Sequence, residues 1–442
     1  MRRISIKNAL AQAQETNTTI MSMCSKYLHF VQKANYLLFI VVVCMLPFPT
    51  HASLYAWGIW LCSWLLEGRF LCKKNIKWHK GLIPIISLVV LFVWELISYT
   101  WAINKTDACN MLIRHISFVA ILPIAIWGVN NQYDWKNIAR WFIISCIASI
   151  FIYGIYIHIF EYRQHILTHH NLPNIAYKWS LFGDKISLIK HRLYYGNILN
   201  LGIVALLQMR IQHLSTFRNK KIATAIFFIG LILLVLGIVW SGSRANMLTL
   251  LIVSAVAVIQ PLRGHTRTLV ASLVCVFTIV IGALLFTLHP RFNQLELEHV
   301  TERGAFQINE IEPRINIWYS ALQEPEDYIW HGVGVGCNSE YLTPVYDSLH
   351  WDKFKKRQFN AHNQYLGFLI NLGIFAALFF FLTWLLLPIW HKGRVRQFAT
   401  LIALTIGLNM LTENMLDRID GVIVTSVSML VIALLSRVQL EK

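Results

Sequence analysis

His362 stands in Ala361-His362-Asn363-Gln364-Tyr365-Leu366-Gly367-Phe368, where a long polar segment turns into an apolar helix. An imidazole at such a boundary can act as a base on reactants that are themselves half in lipid. Two arginines complete the pattern. Arg244 lies in Ser241-Gly242-Ser243-Arg244-Ala245-Asn246, a tight connection between two apolar segments. Its neighbours are the Ser241 and Ser243 hydroxyls, a flexible Gly242 and the exposed amides of a helix start, which together read as an anion site. Arg314 follows Glu312-Pro313 and opens a helix, with proline suited to its first turn. Arg314, Trp318, Ala321 and Leu322 share one face of it, fit to lie on a bilayer. The guanidinium fork matches phosphate oxygens better than an ammonium does, so the two arginines can clamp a diphosphate. Each residue also has a plain structural reading: an interfacial histidine bonded to Asn360 or Asn363, a snorkelling arginine, a surface arginine above a packed tryptophan.

The elements that must position these residues are membrane helices. The 442-residue chain is 56% hydrophobic and 14% charged, which marks an all-α polytopic membrane protein. Apolar runs near spanning length fall at 34–50, 52–67, 81–101, 109–129, 138–160, 193–210, 222–240, 244–260, 268–288, 362–388, 398–413 and 420–436, about twelve transmembrane helices. The expected organisation is a cytoplasmic tail over 1–33, a membrane domain over 34–288 with an outer loop near 161–192, a loop domain over 289–361, three helices over 362–436, and a tail over 437–442. Lysines and arginines concentrate in alternate connections, among them Arg69, Lys73, Lys74, Lys77 and Lys80, then Lys136 and Arg140, then Lys392, Arg394 and Arg396. The positive-inside rule makes those connections and both termini cytoplasmic, and puts His362, Arg244 and Arg314 on the outer side.

The formal charge of +17 then reflects topology and attraction to anionic lipid headgroups, not nucleic-acid binding. Eight cysteines are scattered without disulfide or zinc spacing. The sequence suggests no metal and no cofactor. Gly332-Val333-Gly334-Val335-Gly336 resembles a nucleotide loop but lacks the strand-turn-helix context and the phosphate-loop lysine. A turn that packs the outer segment closely on the membrane domain suits it better.

Four further features are weaker. Arg192 opens a helix from the outer side and adds to a phosphate site or marks the membrane boundary. Glu413, Asp417, Arg418 and Asp420 in the last outer connection can orient His362 or an acceptor, or simply pair locally. Arg114 and His115 lie near one end of an apolar helix with no partner evident. Lys353, Lys355, Lys356 and Arg357 form a basic run ahead of His362.

The motifs SGSRAN, RINIWYSAL, GVGVGCN and AHNQYLGFLINLG, in that order, resemble those of the O-antigen ligase and polymerase superfamily. The resemblance spans about residues 190–435 by motif order. It implies a GT-C-like fold in the bacterial inner membrane, with a large periplasmic loop between the ninth and tenth helices. It implies an enzyme that moves a glycan from undecaprenyl diphosphate to an acceptor hydroxyl, without nucleotide or metal. In an O-antigen ligase the acceptor is lipid A-core; in a polymerase it is another lipid-linked repeat, and in a protein O-oligosaccharyltransferase a Ser or Thr. Residue by residue, His362 matches the family's catalytic histidine, and Arg244 and Arg314 its diphosphate-binding arginines. Arg192, Ser241, Ser243, Asn363 and Glu413 are supporting candidates. Two arginines and a helix N-terminus near His362 favour the neutral imidazole that accepts a proton. Hydropathy alone also fits a secondary transporter or a lipid-linked-sugar flippase, although the large insertion and the absence of visible repeats argue against it.

Overall fold

In the computed structural model, residues 26–157, 159, 183, 185–211, 220–288 and 314–440 are described, and every regular element among them is helical. Most of the expected N-terminal tail, much of the loop near 161–192, residues 289–313 of the loop domain and residues 441–442 lie outside the described residues. The first half comprises α1 (Lys26–Met45), α2 (Thr50–Glu67), α3 (Ile83–Ser98), α4 (Lys105–Trp127), α5 (Trp135–Tyr156), α6 (Arg192–Ile211), α7 (Lys220–Ser241), α8 (Arg244–Ile259) and α9 (Gly264–Leu288). Three short helices follow, α10 (Arg314–Ala321), α11 (Asn338–Ser348) and α12 (Asp352–Arg357). The chain then returns to the bundle as α13 (Gln364–Leu372), α14 (Ile374–Leu386), α15 (Gly393–Met410) and α16 (Ile419–Leu440).

Among the described residues, seven helices are long and apolar enough to cross a membrane: α1, α3, α4, α5, α7, α9 and α16. The chain is a multi-pass membrane protein. Helices α8 and α14 are apolar but shorter. Helices α6, α8 and α15 carry polar side chains that meet inside the bundle. Asn409 Nδ2 donates to Thr249 Oγ1 at 3.3 Å and to Asn197 Oδ1 at 3.4 Å, and Asn200 Nδ2 donates to the Asn246 carbonyl at 3.1 Å. Such interhelical bonds hold helices together where lipid removes the hydrophobic drive between them. Helix α9 presents the opposite case, with Val276, Phe277 and Ile279 all turned outward toward lipid.

Helix α16 is the axis of the bundle, buried along most of its length against α4, α2 and α15. Its two ends are pinned by charge. Near the start, Asp420 receives Lys190 Nζ and Thr50 Oγ1, both at 2.6 Å. Near the finish, Arg437 donates to the carbonyls of Ile126 at 2.6 Å and Asn75 at 2.8 Å. Arg437 was expected as a charge of the cytoplasmic tail; it is buried instead, because the last carbonyls of α4 need donors and a guanidinium supplies several.

The single span expected over 362–388 is two helices. Gly373, at φ 84°, breaks it between α13 and α14, and its Cα lies so close to the Trp330 carbonyl that no side chain fits. The alternating glycines make a close-packed turn. Gly332 lies on the Asn371–Leu372 backbone and Gly334 on Ala102. Val333 N and Gly334 N donate to the Ile370 and Asn371 carbonyls at 2.8 and 2.9 Å. Gly334 has φ 103° as well, so Gly334→Ala adds backbone strain to a clash with the Ala102 backbone. The expected cost is more than about 3 kcal/mol. It should be read as loss of the monodisperse peak in detergent size-exclusion chromatography.

Candidate functional site

The site lies at one end of the bundle, where α6, α8 and α13 begin and α15 turns into α16. Asn363 caps α13, its side-chain oxygen accepting the amides of Tyr365 at 3.0 Å and Leu366 at 3.1 Å. The Asn363 amide donates to Asn414 Oδ1 at 2.7 Å, which locks the head of α13 to the α15–α16 turn. Gly367 permits that approach, since a methyl there would strike the Asn414 amide.

One residue ahead of the cap, His362 has a left-handed φ of 45°. Few non-glycine residues adopt it, and such strain persists where surrounding contacts over-determine it. Those contacts are visible: the His362 amide donates to Asn360 Oδ1 at 3.2 Å, and the ring packs on Phe359 at 5.6 Å. Nδ1 lies 3.3 Å from Glu413 Oε2. The His362 side chain is 23% exposed and that of Glu413 5%, so the pair faces outward through the ring. A carboxylate against Nδ1 fixes the proton there and leaves Nε2 as the accepting nitrogen.

Of the acidic residues in the last outer connection that could orient His362, Glu413 is the one that meets its ring. A carboxylate so placed can balance an imidazolium, as that of a hydrolase triad does. Burial pushes the Glu413 carboxyl up, but the hydrogen bond and charge of His362, with His191 and Arg314, outweigh it and hold the group down to about 2. Its folded value is below the ordinary 4.5, so its stabilising contribution is complete above that value and is lost as pH falls toward about 2. The thermal midpoint in detergent is therefore expected to drop between roughly pH 5 and pH 3, and Glu413→Gln to flatten that part of the curve. If His362 acts as a base, the same substitution should lower turnover on the order of a hundredfold, because the imidazolium would lose its counter-charge.

Arg314 opens α10 and donates from Nε to the Thr412 carbonyl at 2.8 Å, directly beside Glu413. Trp318, one turn on, donates from Nε1 to the Ala361 carbonyl at 3.1 Å. Helix α10 thus grips both partners of the His362–Glu413 pair, which is what the shared face of Arg314 and Trp318 accomplishes.

The turn carrying Glu413 is fixed by Asp417, Asn360, Gln364, Arg114 and His115. Asp417 accepts from Asn414 Nδ2 at 2.9 Å and Asn360 Nδ2 at 3.1 Å, and its carbonyl accepts Arg114 at 2.7 Å. The Leu416 amide donates to Gln364 Oε1 at 2.6 Å. His115 Nε2 lies 3.0 Å from the Leu416 carbonyl, while its Nδ1 meets the Glu95 carboxylate at 2.8 Å. Arg114 and His115 therefore have their partners, and the buried Glu95 in an apolar run was the signal that could have supplied one.

Ser241, Ser243 and Arg244 form the tight turn between α7 and α8, with Gly242 at φ 67°. Ser241 Oγ donates to the Ile238 carbonyl at 2.7 Å, and Ser243 Oγ accepts Asn246 Nδ2 at 2.8 Å. Both hydroxyls hold the turn's own shape. Asn246 also donates to the Leu193 carbonyl at 2.8 Å, which ties the turn to the first residues of α6. Tyr194, in the same turn of α6, places its hydroxyl 3.4 Å from the Asn414 and Met415 carbonyls. The head of α6, which Arg192 opens, thus connects the Arg244 turn to the turn beside His362.

His191 sits at that junction and was not singled out by the sequence. Burial lowers it from the ordinary histidine value; Glu413 opposes this, while Arg418, His362 and Arg314 push the same way. The balance disfavours the charged form of His191. Residues 229–381, which run from α7 into α14 and include Arg244, Arg314 and His362, match the family model described as O-antigen ligase. No curated protein matches the chain.

Proposed function

From a chain whose residues 229–381 carry the O-antigen ligase domain, a finding that supports the O-antigen ligase and polymerase superfamily, we propose an O-antigen ligase of the bacterial inner membrane. It transfers O-polysaccharide from undecaprenyl diphosphate to lipid A-core on the periplasmic face. The observation that carries this reading is the outward-facing His362–Glu413 pair beside Arg314. In the proposed topology about twelve helices cross the membrane, both termini are cytoplasmic, and the site end of the bundle is periplasmic.

His362 Nε2 accepts the proton of the acceptor hydroxyl as its oxygen attacks the anomeric carbon. The new glycosidic bond forms as the bond to the diphosphate oxygen breaks, with inversion at that carbon. Arg314 and Arg244 take up the charge that develops on the departing diphosphate, so no metal is needed for this step. Glu413 holds the ring and balances the imidazolium. Asn363, by capping α13, sets the position of its neighbour His362. Arg192 and the Ser241–Ser243 turn shape the approach of the donor.

The same chemistry serves a polymerase or a protein O-oligosaccharyltransferase, and only the acceptor differs. The test is the lipopolysaccharide of a strain lacking the chain, with lipid-linked glycan extracted in parallel. Bare core with accumulated polymeric lipid-linked glycan is the ligase outcome. Core capped by a single repeat would transfer the assignment to a polymerase, and unchanged lipopolysaccharide with loss of glycoprotein to a protein glycosyltransferase. Glycan transfer by purified protein in detergent, with no ion gradient, separates all three from a flippase or secondary transporter.

A further inference from the structure

At the opposite end of the bundle, the last part of α1 together with α5, α6, α15 and α16 encloses a half-open cleft of about 210 Å3. Its walls are apolar, formed by Leu46, Phe142, Leu201, Phe398, Val431 and their neighbours. Two features make it more than a packing defect. Lys136 and Arg394, both exposed second residues of their helices, border it where α5 and α15 begin. Gln208, on the last turn of α6, also lines it. Gln208 is 6% exposed, and neither Nε2 nor Oε1 has a hydrogen-bond partner among the described residues.

A buried amide with both ends unpaired costs several times what a made bond contributes, so the occupant of the cleft must bring a polar group to that depth. A bare hydrocarbon chain cannot. A rise of 1.5 Å per residue puts Gln208 about 5 Å inside the end of α6, below the level of the two cations. Anionic phosphate at the mouth, an ester carbonyl just beneath it and hydrocarbon below that is the layout of a glycerophospholipid. A polyprenyl phosphate supplies the first and third but no ester.

We propose that this cleft binds one acyl chain of an anionic glycerophospholipid, with its phosphate at Lys136 and Arg394 and its ester group at Gln208. The site lies at the far end of α6 and α15 from His362 and does not depend on which acceptor the protein uses. Occupied, it completes the interior seam of α5, α6, α15 and α16, so the lipid is a structural ligand of the four helices.

The test is native mass spectrometry of delipidated full-length protein titrated with phosphatidylglycerol, phosphatidylcholine and undecaprenyl phosphate. Phosphatidylglycerol should bind about tenfold more tightly than phosphatidylcholine, and the double variant Lys136→Ala/Arg394→Ala should abolish that preference. Gln208→Leu should weaken both ester lipids by about threefold to tenfold and leave undecaprenyl phosphate unaffected. Ala139→Trp, which fills the cleft, should remove the tight-binding lipid; if that variant does not fold, the two surface cations decide the matter. Equal binding of the two phospholipids, indifferent to every variant, would reduce the cleft to ordinary annular contact and overturn the proposal. Tighter binding of undecaprenyl phosphate than of phosphatidylglycerol would also overturn it, by assigning the cleft to the glycan carrier.

Discussion

His362→Ala is expected to lower glycan transfer by about a hundredfold to ten-thousandfold, the usual range for loss of a general base. The acceptor hydroxyl is a poor nucleophile until its proton has somewhere to go, and the proposed accepting atom is Nε2 of His362, whose Nδ1 lies 3.3 Å from Glu413. Alanine also places a methyl-bearing residue at φ 45°, where the backbone is strained. His362→Asn removes that ambiguity, since asparagine tolerates the left-handed region and still lacks a base. The two variants should therefore be equally inactive, with His362→Asn retaining the wild-type thermal midpoint in detergent. Initial rates with extracted lipid-linked glycan and acceptor, at saturating concentrations of both, provide the measurement. An Asn variant within threefold of wild type would falsify the base assignment.

The helical class was legible because a bilayer forces the chain into long apolar helices whatever else the sequence encodes. Local signals of chemistry were also legible. A histidine ahead of an Asn-capped helix and an arginine after a proline are patterns that one segment carries by itself. The alternating glycines likewise announced a close-packed turn, and Gly334 against Ala102 is its physical content. What the sequence could not state was which distant segments meet. Glu413 is 51 residues from His362 and Glu95 is 20 residues from His115, pairings set by how helices pack and not by spacing along one of them. The break at Gly373 was missed for a related reason. Hydropathy is continuous through it, and only the backbone of Trp330, arriving from another segment, makes the glycine necessary. The Ser241 and Ser243 hydroxyls were read as anion ligands because their types suit that role, whereas the geometry gives them carbonyl and amide partners within their own turn.

Arg314→Ala is the second large effect, expected to lower kcat/KM by about a hundredfold or more, in the range seen when one charge-stabilising donor is lost from a transition state. The guanidinium holds the Thr412 carbonyl through Nε at 2.8 Å, and its charge acts on both Glu413 and His191. Anchored in this way, its positive charge is pre-positioned beside the His362–Glu413 pair, where a departing diphosphate needs it. The contact with Thr412 fixes the Glu413 turn, balancing the leaving group is the role proposed in addition, and Arg314→Lys separates the two. Lysine keeps the charge but loses the planar fork and the Nε donor, so it should recover part of the activity and none of the turn's rigidity. If Arg314 acted solely through the turn, the alanine and lysine variants would be equally impaired, and combining either with Glu413→Gln would add nothing further. If it also stabilises the diphosphate, Arg314→Ala should be worse than Arg314→Lys. Its defect should also persist on top of Glu413→Gln, because the leaving group then departs without its counter-charge whatever the state of the base.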